Sequence, residues 1–416
     1  VFIVGVGMTA FLKPGKHGKE YFEFAKEAGT RALEDACISY KDIEQVVVGH
    51  VYGDSCAAQR AVYELGMTGV PVMATHNNCA TGSSAVFLAR QAVLSGMVEC
   101  AMALGFEKMN PGSLGLVFQD RTPPLDKHMM ALMDHREFTP APPASQFFGA
   151  AGLEHMEKYG TKPETFSKIA VKSHRNSTRN PYAQFQDEYN LEQVMNSPAV
   201  YGDFLNKLSC CPTSDGGGCV ILASEDFVVK NGLQGQAVEI IGQSMKTDQP
   251  DIFDSPSDIK LVGFDMSRSA CEDVYKQANI QPSDVQVCEL HDCFSPNELI
   301  TYEALKFCDE GKAEEFIEKG HNDYGGKVVV NPSGGLISKG HALGASGQVQ
   351  LVELCWQLRG ECGPRQVKDA KVGLAHNLGL GGACVVTALK RPEAWTSMPM
   401  KRKQSLAMGP PAEAKL

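Results

Sequence analysis

Apolar, β-rich runs alternate with amphipathic segments along most of this chain. "VFIVGVG" precedes a helix-periodic stretch near 20–38. "IEQVVVGHVYG" follows, then a helix near 56–66, then "VPVMATH", a helix to about Ser95, and "CAMALGF". Unbroken Val/Ile-rich runs between helices predict a buried, mostly parallel sheet covered on both faces. The chain is therefore expected to be α/β. Residues 108–209 break the rhythm with "RTPPLD" and "TPAPPASQ", Pro-rich joints between helices that mark an insertion. The strand signal returns at "GGGCVILAS".

The pattern then repeats. "GQAVEIIGQS" resembles the opening strand, and a helix near 266–279 leads to "PSDVQVCELHD", the counterpart of "KDIEQVVVGHV". "GHALGASGQVQLVELCWQLRG" has the same turn-and-helix build as "NNCATGSSAVFLARQAVLSG", and the strands "AKVGLAH" and "ACVVTALK" close the pattern. Two related α/β halves are expected. The first spans 1–107 and returns at 210–235, with 108–209 inserted; the second spans 236–390. Residues 391–416 are polar and read as a tail. The repeat places Cys79 and His341 at equivalent helix starts.

Composition narrows the classes. The 416 residues are 43% apolar, enough for a large core, and carry a net charge of −10. An acidic chain is a poor binder of nucleic acid, so an anionic ligand needs a local basic patch. The 14 cysteines include no C-x-x-C pair and no zinc-finger spacing, so no metal site is expected. Most lie in apolar runs and suit a reducing compartment. No apolar run reaches the roughly 18 residues of a membrane span. The sequence opens on a strand pattern at Val1, with no leader expected. Its last three residues, Ala-Lys-Leu, resemble the peroxisomal address Ser-Lys-Leu.

Four clusters at strand ends offer reactive side chains. Cys79, in "HNNCATGSSA", stands at a helix start, where backbone N–H groups favour a thiolate. Its small neighbours Ala80, Thr81, Gly82 and Ser83 are expected to admit a substrate. It is either a nucleophile or a packing thiol. His291, Asp292 and Cys293 stand together in "ELHDCFSPNEL"; His341 lies in "NPSGGLISKGHALGASG" and His376 in "AHNLGLGGA". Ligands of open α/β sheets sit beyond such strand ends.

These motifs resemble those of the thiolases, in particular the sterol carrier protein 2/X type. "NNCATGS" is similar to the nucleophile motif, and "HDCF" to this subfamily's variant of His-Glu-Ala-Phe. "NPSGGLISKGHALGASG" is similar to the Gly-His-Pro-x-Gly motif, and "HNLGLGG" to the segment that replaces Cys-x-Gly. The resemblance spans the chain to about Lys390 and implies a five-layered α/β/α/β/α thiolase fold. Ala342 and Ser346 depart from the usual Pro and Thr.

The resemblance also implies an activity, the thiolytic cleavage of 3-oxoacyl-CoA by CoA. The alternatives are a ketoacyl-synthase-type enzyme and a non-catalytic acyl-CoA or lipid binder. Cys79 would attack the 3-keto carbon, with His341 taking its proton. His341 and a water held by His291 would stabilise the enolate, and Cys293 would protonate it and then activate CoA. The Cys79 N–H and the glycine segment after His376 would form a second oxyanion hole. His155, Met156, Phe294, Ser333, Gly334 and Gly379 are expected at the substrate pocket. Lys172 and Arg175, on a helix with Lys168 and Arg179, are expected to meet the CoA phosphates. CoA is then a cosubstrate, and no permanent cofactor is implied. A homodimer is implied, with a tetramer as the alternative. The implied location is the peroxisomal matrix, reached from the cytoplasm through an import receptor.

Overall fold

The computed structural model describes residues 1–109, 118 and 120–409. The first half runs β1 (Phe2–Met8), α1 (Tyr21–Ala36), β2 (Gln45–Gly49), α2 (Ala57–Val62), β3 (Val72–Thr75), α3 (Thr81–Leu94) and β4 (Cys100–Glu107). Four helices follow, α4 (Asp126–Met133), α5 (Pro143–Tyr159), α6 (Pro163–Ser177) and α7 (Leu191–Met195), and then a small hairpin, β5 (Ala199–Tyr201) with β6 (Leu205–Asn206). The chain returns in β7 (Gly216–Ala223) and α8 (Glu225–Lys230). The second half runs β8 (Val238–Lys246), α9 (Asp258–Leu261), α10 (Phe264–Ala278), β9 (Val287–Glu289), α11 (Ser295–Ala304), α12 (Ala313–Glu318), β10 (Val329–Val330), α13 (Ser346–Arg359), β11 (Val372–Gly379) and β12 (Ala383–Lys390).

The strand order is β10-β9-β11-β12-β8-β1-β7-β4-β2-β3. Read outward from the centre, each half repeats one order, so β8, β12, β11, β9 and β10 correspond to β1, β7, β4, β2 and β3. The halves meet through a short antiparallel pairing, Phe2 with Glu239 and Ile3 with Val238. The sheet is not mostly parallel. Only the three outer strands of each half run parallel. β7 and β12 are antiparallel to both of their neighbours. The cause is connectivity. β12 follows β11 by a tight hairpin, with Gly379 opposite Ala383, while β7 re-enters after a long excursion.

Glycines set the layer spacing. A Cβ on Gly5 would lie 2.3 Å from the Ala32 carbonyl, and one on Gly7 2.3 Å from that of Ala28. α1 therefore lies flush on β1, with the small face Ala25, Ala28, Ala32 and Ala36 buried. α10 covers β8 and β12 on the other outer side. α3 and α13 pack against each other and against strands of both halves. That gives five layers, and the middle one is dry enough that every residue of α13 is buried.

The two central helices touch near their N-termini. A Cβ on Gly347 would lie 2.2 Å from Ser83 N, and one on Gly82 would lie 2.9 Å from Gly347 N. This corrects the expectation that small residues after Cys79 leave room for substrate: Ala80, Thr81, Gly82 and Ser83 are buried, and Gly82 and Ser83 abut α13. The tail expectation is corrected as well. Trp395 packs on Phe2 with ring centroids 4.9 Å apart. Arg402 and Arg359 each place a guanidinium nitrogen 2.8 Å from buried Asp35. Leu406 and Ala407 are buried, and the Tyr182 hydroxyl donates to the Leu406 carbonyl at 2.7 Å. The Ala-Lys-Leu end lies outside the described residues.

Gly347→Ala should push the α3 and α13 backbones apart, because the clash is with a main-chain nitrogen. A loss of about 1–3 kcal/mol is expected from overpacking, read as a lower unfolding midpoint in urea with reduced turnover.

Candidate active site

Cys79 sits between β3 and α3. Asn78 before it adopts a left-handed φ of 49°, which Asn tolerates. Thr81 Oγ1 accepts the Asn77 N–H at 2.9 Å and donates to the Asn78 carbonyl. The helix N-cap is Ala80, so Cys79 stands just outside the first turn. Asn78 also donates to the Leu380 carbonyl at 3.0 Å, and a Cβ on Gly379 would lie 2.3 Å from Asn77 O. The β11–β12 hairpin thus leans on the nucleophile turn. Cys79 Sγ and a ring nitrogen of each of His291 and His341 lie within 4.8 Å of one another.

The geometry of His341 fixes its tautomer. Ser346 Oγ–H donates to the Ala342 carbonyl at 2.9 Å, so the same oxygen must accept the His341 Nδ1–H, 2.8 Å away. Nε2 is then bare, buried and without a hydrogen-bond partner among the described residues. Burial, helped by Lys339, lowers the His341 pKa to about 3. The imidazole is neutral at pH 7, with a lone pair near the thiol. Ser346 and Ala342, the two departures from the usual motif, supply this arrangement. The His341 N–H donates to Ser214 Oγ at 2.9 Å.

The Cys79 thiol is not acidic. Burial, then the Glu107 carboxylate, push it up to about 12. This corrects the expectation of a helix-stabilised thiolate, and it makes a neighbouring base necessary. Glu107, at the end of β4, was not singled out from sequence. Its carboxylate accepts the N–H groups of Val51 (3.1 Å), Tyr52 (2.9 Å) and Gly344 (2.9 Å), so it buckles a first-half loop to the loop after His341. Burial raises its pKa to about 7 despite those donors.

His291 and His341 meet edge to face, with centroids 5.2 Å apart. Asp292 is an anchor rather than a reactive group. It accepts the Leu336 and Ile337 N–H groups at 2.6 and 3.4 Å and so caps the turn leading to His341. Cys293 is buried, and burial followed by Cys211 and Cys79 raises its thiol far above the ordinary range. The segment 210–215 forms a seam. Cys211 N–H donates to the Cys293 carbonyl at 2.8 Å. Cys210 bridges Phe294, and Thr213 bridges His341. This seam holds both reactive loops in register.

Several expected site residues are engaged by partners within the protein. His376 is inside β11, not at its end. Its Nε2 contacts Ser267 Oγ at 2.9 Å and its Nδ1 accepts the His291 N–H at 3.5 Å, so the ring lies behind His291. His376 is not one of the three groups of the Cys79 cluster. His155 is buried between Thr161 (2.7 Å) and Glu303 (3.1 Å). Met156 packs against the core, and Phe294 stacks on Phe148 at 5.2 Å. Ser333 is enclosed by Glu289 (2.7 Å) and Lys339 (2.8 Å), and Gly334 faces Ser177. Lys172 is buried on Glu298 and the Val330 carbonyl, and Arg175 pairs with Asp323. The expected cationic face of α6 does not form, because α6 braces the loop after β10. Asn377, which the sequence reading did not name, faces the site instead, with Nδ2 3.1 Å from His291 Nδ1.

The arrangement supplies one thiol with an unpaired imidazole base and a second imidazole beside it, and a buried, protonated thiol nearby. That set suits acyl transfer through a thioester. Cys79, His291 and His341 are also the residues that would hold a soft metal ion. Comparison decides the family. The profile "Thiolase, N-terminal domain" matches residues 1–226, and "Thiolase C-terminal domain-like" matches 254–390. The chain belongs to the thiolase family. Human sterol carrier protein 2 is 58% identical over 401 residues, covering 95% of this chain and 73% of that protein. An acetyl-CoA acetyltransferase of Methanothermobacter thermautotrophicus is 33% identical over 94% of this chain and 99% of its own length. Among solved structures, an Ltp2-ChsH2(DUF35) aldolase superposes with a TM-score of 0.79 at 24% identity, over 94% of this chain and 98% of its own. Human mitochondrial 3-ketoacyl-CoA thiolase in complex with CoA gives 0.70 at 18%, over the same shares. This thiolase is thus an acyltransferase by family, with CoA chemistry in its relatives.

A carboxyl whose folded pKa is raised prefers its proton in the folded state. Glu107 therefore favours folding at acid pH, and that advantage fades as pH climbs from about 4.5 through 7. The expected change is roughly 3 kcal/mol. Urea unfolding of wild type and Glu107→Gln at pH 4.5 and 7.5 should differ in pH slope by that order, with the variant flatter.

Proposed function

We propose that this thiolase cleaves 3-oxoacyl-CoA with CoA, through a Cys79 acyl-enzyme. The observation that carries the reading is the bare Nε2 of His341, on a ring with a nitrogen within 4.8 Å of a thiol too basic to ionise alone. His341 takes the Cys79 proton as sulfur bonds to the 3-keto carbon. The C2–C3 bond breaks, leaving a thioester on Cys79 and an enolate of the departing acyl-CoA. Its oxygen is met by His341, now protonated at Nε2, and by His291, whose ring lies close enough to Cys79 to donate directly in place of the water expected there. One such donor is worth roughly 3 kcal/mol. Cys293 gives its proton to the enolate carbon, releasing acetyl-CoA, or propionyl-CoA from a 2-methyl-branched chain. The resulting thiolate takes the proton of CoA, whose sulfur then displaces Cys79 and carries off the shortened acyl group, while the departing Cys79 sulfur recovers its proton from His341 Nε2. The buried, high-pKa thiol of Cys293 suits the acid step. The proposed substrates include 2-methyl-branched and sterol side-chain 3-oxoacyl-CoAs, and relatives named sterol carrier protein 2 support the sterol part of that reading.

The same reading includes a homodimer. β3 is a sheet edge with Met73 41% exposed, and α3, packed on β3, exposes Leu88 and Leu94. A free edge strand invites pairing with a second copy. The reading also includes a peroxisomal matrix location. No described helix is long and apolar enough to cross a membrane.

Mixing with 3-oxoacyl-CoA in the absence of free CoA should leave an acyl group on Cys79, seen by peptide mass. Cys79→Ala should abolish the adduct. Cys293→Ala should keep the adduct site but slow cleavage by about 10²–10⁴-fold; full turnover in that variant would reject the role given to Cys293. Sedimentation should show a dimer for wild type and a monomer for the double substitution Met73→Lys, Ala74→Lys.

A further inference from the structure

We propose that Asn377 is a positioning residue that holds His291 in its Nε2–H tautomer, so that His291 faces the reacting centre only as a donor. The inference rests on the thiolase reading and concerns a residue that neither the motifs nor that mechanism assign. It begins with strand geometry. Side chains alternate along β11. Leu374, His376 and Leu378 face the α10 side, where Leu374 and Leu378 join the core of Phe264 and Cys271, and His376 meets Ser267. Ala375, Asn377 and Gly379 face the middle layer, where Ala375 joins the core around α13 and Gly379 meets the Cys79 turn. Asn377 is thus delivered to the rear of His291.

The amide orientation follows from its surroundings. Nδ2 lies 3.1 Å from His291 Nδ1. Oδ1 lies 2.7 Å from where a Gly347 Cβ would be and has no hydrogen-bond partner among the described residues. A carbonyl oxygen facing a glycine Cα–H gains a weak contact. An NH₂ group there would bury donors with no acceptor, at a cost of about 1–3 kcal/mol. With Nδ2 donating, His291 Nδ1 is the acceptor and the neutral ring carries its proton on Nε2. Ser346 does the converse to His341. Two buried imidazoles beside one thiol are therefore fixed as opposites, one base and one donor.

The groups facing His291 are His341, at 5.2 Å between rings, and the Cys79 thiol. His376 lies behind, accepting the His291 main-chain N–H. Burial, with both neighbouring imidazoles, keeps His291 uncharged. A positively charged His291 is thus not available as an alternative donor in the wild type.

Asn377→Asp tests this, because the carboxylate is nearly isosteric and can only accept. It would take the Nδ1–H and leave Nε2 bare at pH 8. The expected result is a fall in cleavage kcat of about 10²–10³-fold, the cost of one lost oxyanion donor, with KM little changed. Activity should return as pH falls, since protonation of the ring beside the introduced carboxylate restores Nε2–H, giving an acid-favoured profile absent from wild type. Exchange of CoA into a saturated acyl-CoA through Cys79 forms no enolate and should be largely spared in Asn377→Asp and Asn377→Ala. Equal loss of cleavage and exchange, or wild-type cleavage across pH, would overturn the proposal. Nitrogen-15 spectra of labelled histidine, assigned with His291→Gln, read the tautomer whatever the reaction. A wild-type protein that lacks cleavage but shows His291 as Nε2–H rejects the thiolase reading alone; Nδ1–H in wild type rejects this proposal alone.

Discussion

The close approach of two helix N-termini in the middle layer is the constraint on which the site depends. α3 and α13 can touch at Gly82 and Gly347 only because neither residue has a Cβ. Each helix belongs to a different half, and each is preceded by a turn that carries a reactive side chain. Bringing the helices to backbone contact brings Cys79 and His341 within bonding reach of one substrate atom. The half-sheets, the flush outer helices and the short β1–β8 pairing all serve to hold that middle layer at a fixed thickness. A rigid scaffold of this kind is what a site needs when its groups must sit within a fraction of an ångström.

Polar groups inside this layer are arranged by pairing, not by exposure to water. Ser346, Ser214, Glu107, Asp292 and Asn377 each satisfy a specific donor or acceptor on a reactive loop. The result is a set of imidazoles whose protons have assigned places. The thiols are neutral because the site is dry, and ionisation is deferred until a base accepts the proton. Chemistry at neutral pH then depends on geometry more than on intrinsic acidity.

Much of this was legible in the residues, and the failures have definite causes. The repeated strand–helix rhythm marks the α/β class, and the shared turn-and-helix build singles out the turns of Cys79 and His341. Strand direction was not legible, because β7 returns after an insertion and periodicity carries no sense of direction. Which side chains of β11 face the middle layer was not legible for a related reason. Every residue of β11 is buried, so the residue pattern offers no polar side from which to read the facing. Lys172 looked like a surface cation at helical spacing. Its partner Glu298 is distant in sequence, and such pairings leave no local trace. The depressed thiol pKa was expected from the helix end alone, and the burial that outweighs it is a property of the folded layer.

The packing of residues 395–409 has a consequence for both halves. Arg402 fastens this segment to Asp35 of α1, in the first half, and the Ala407 carbonyl accepts Arg365, just beyond α13 in the second, at 2.8 Å. Removing residues 395–409 would therefore take buried partners away from both halves rather than trim a loose end.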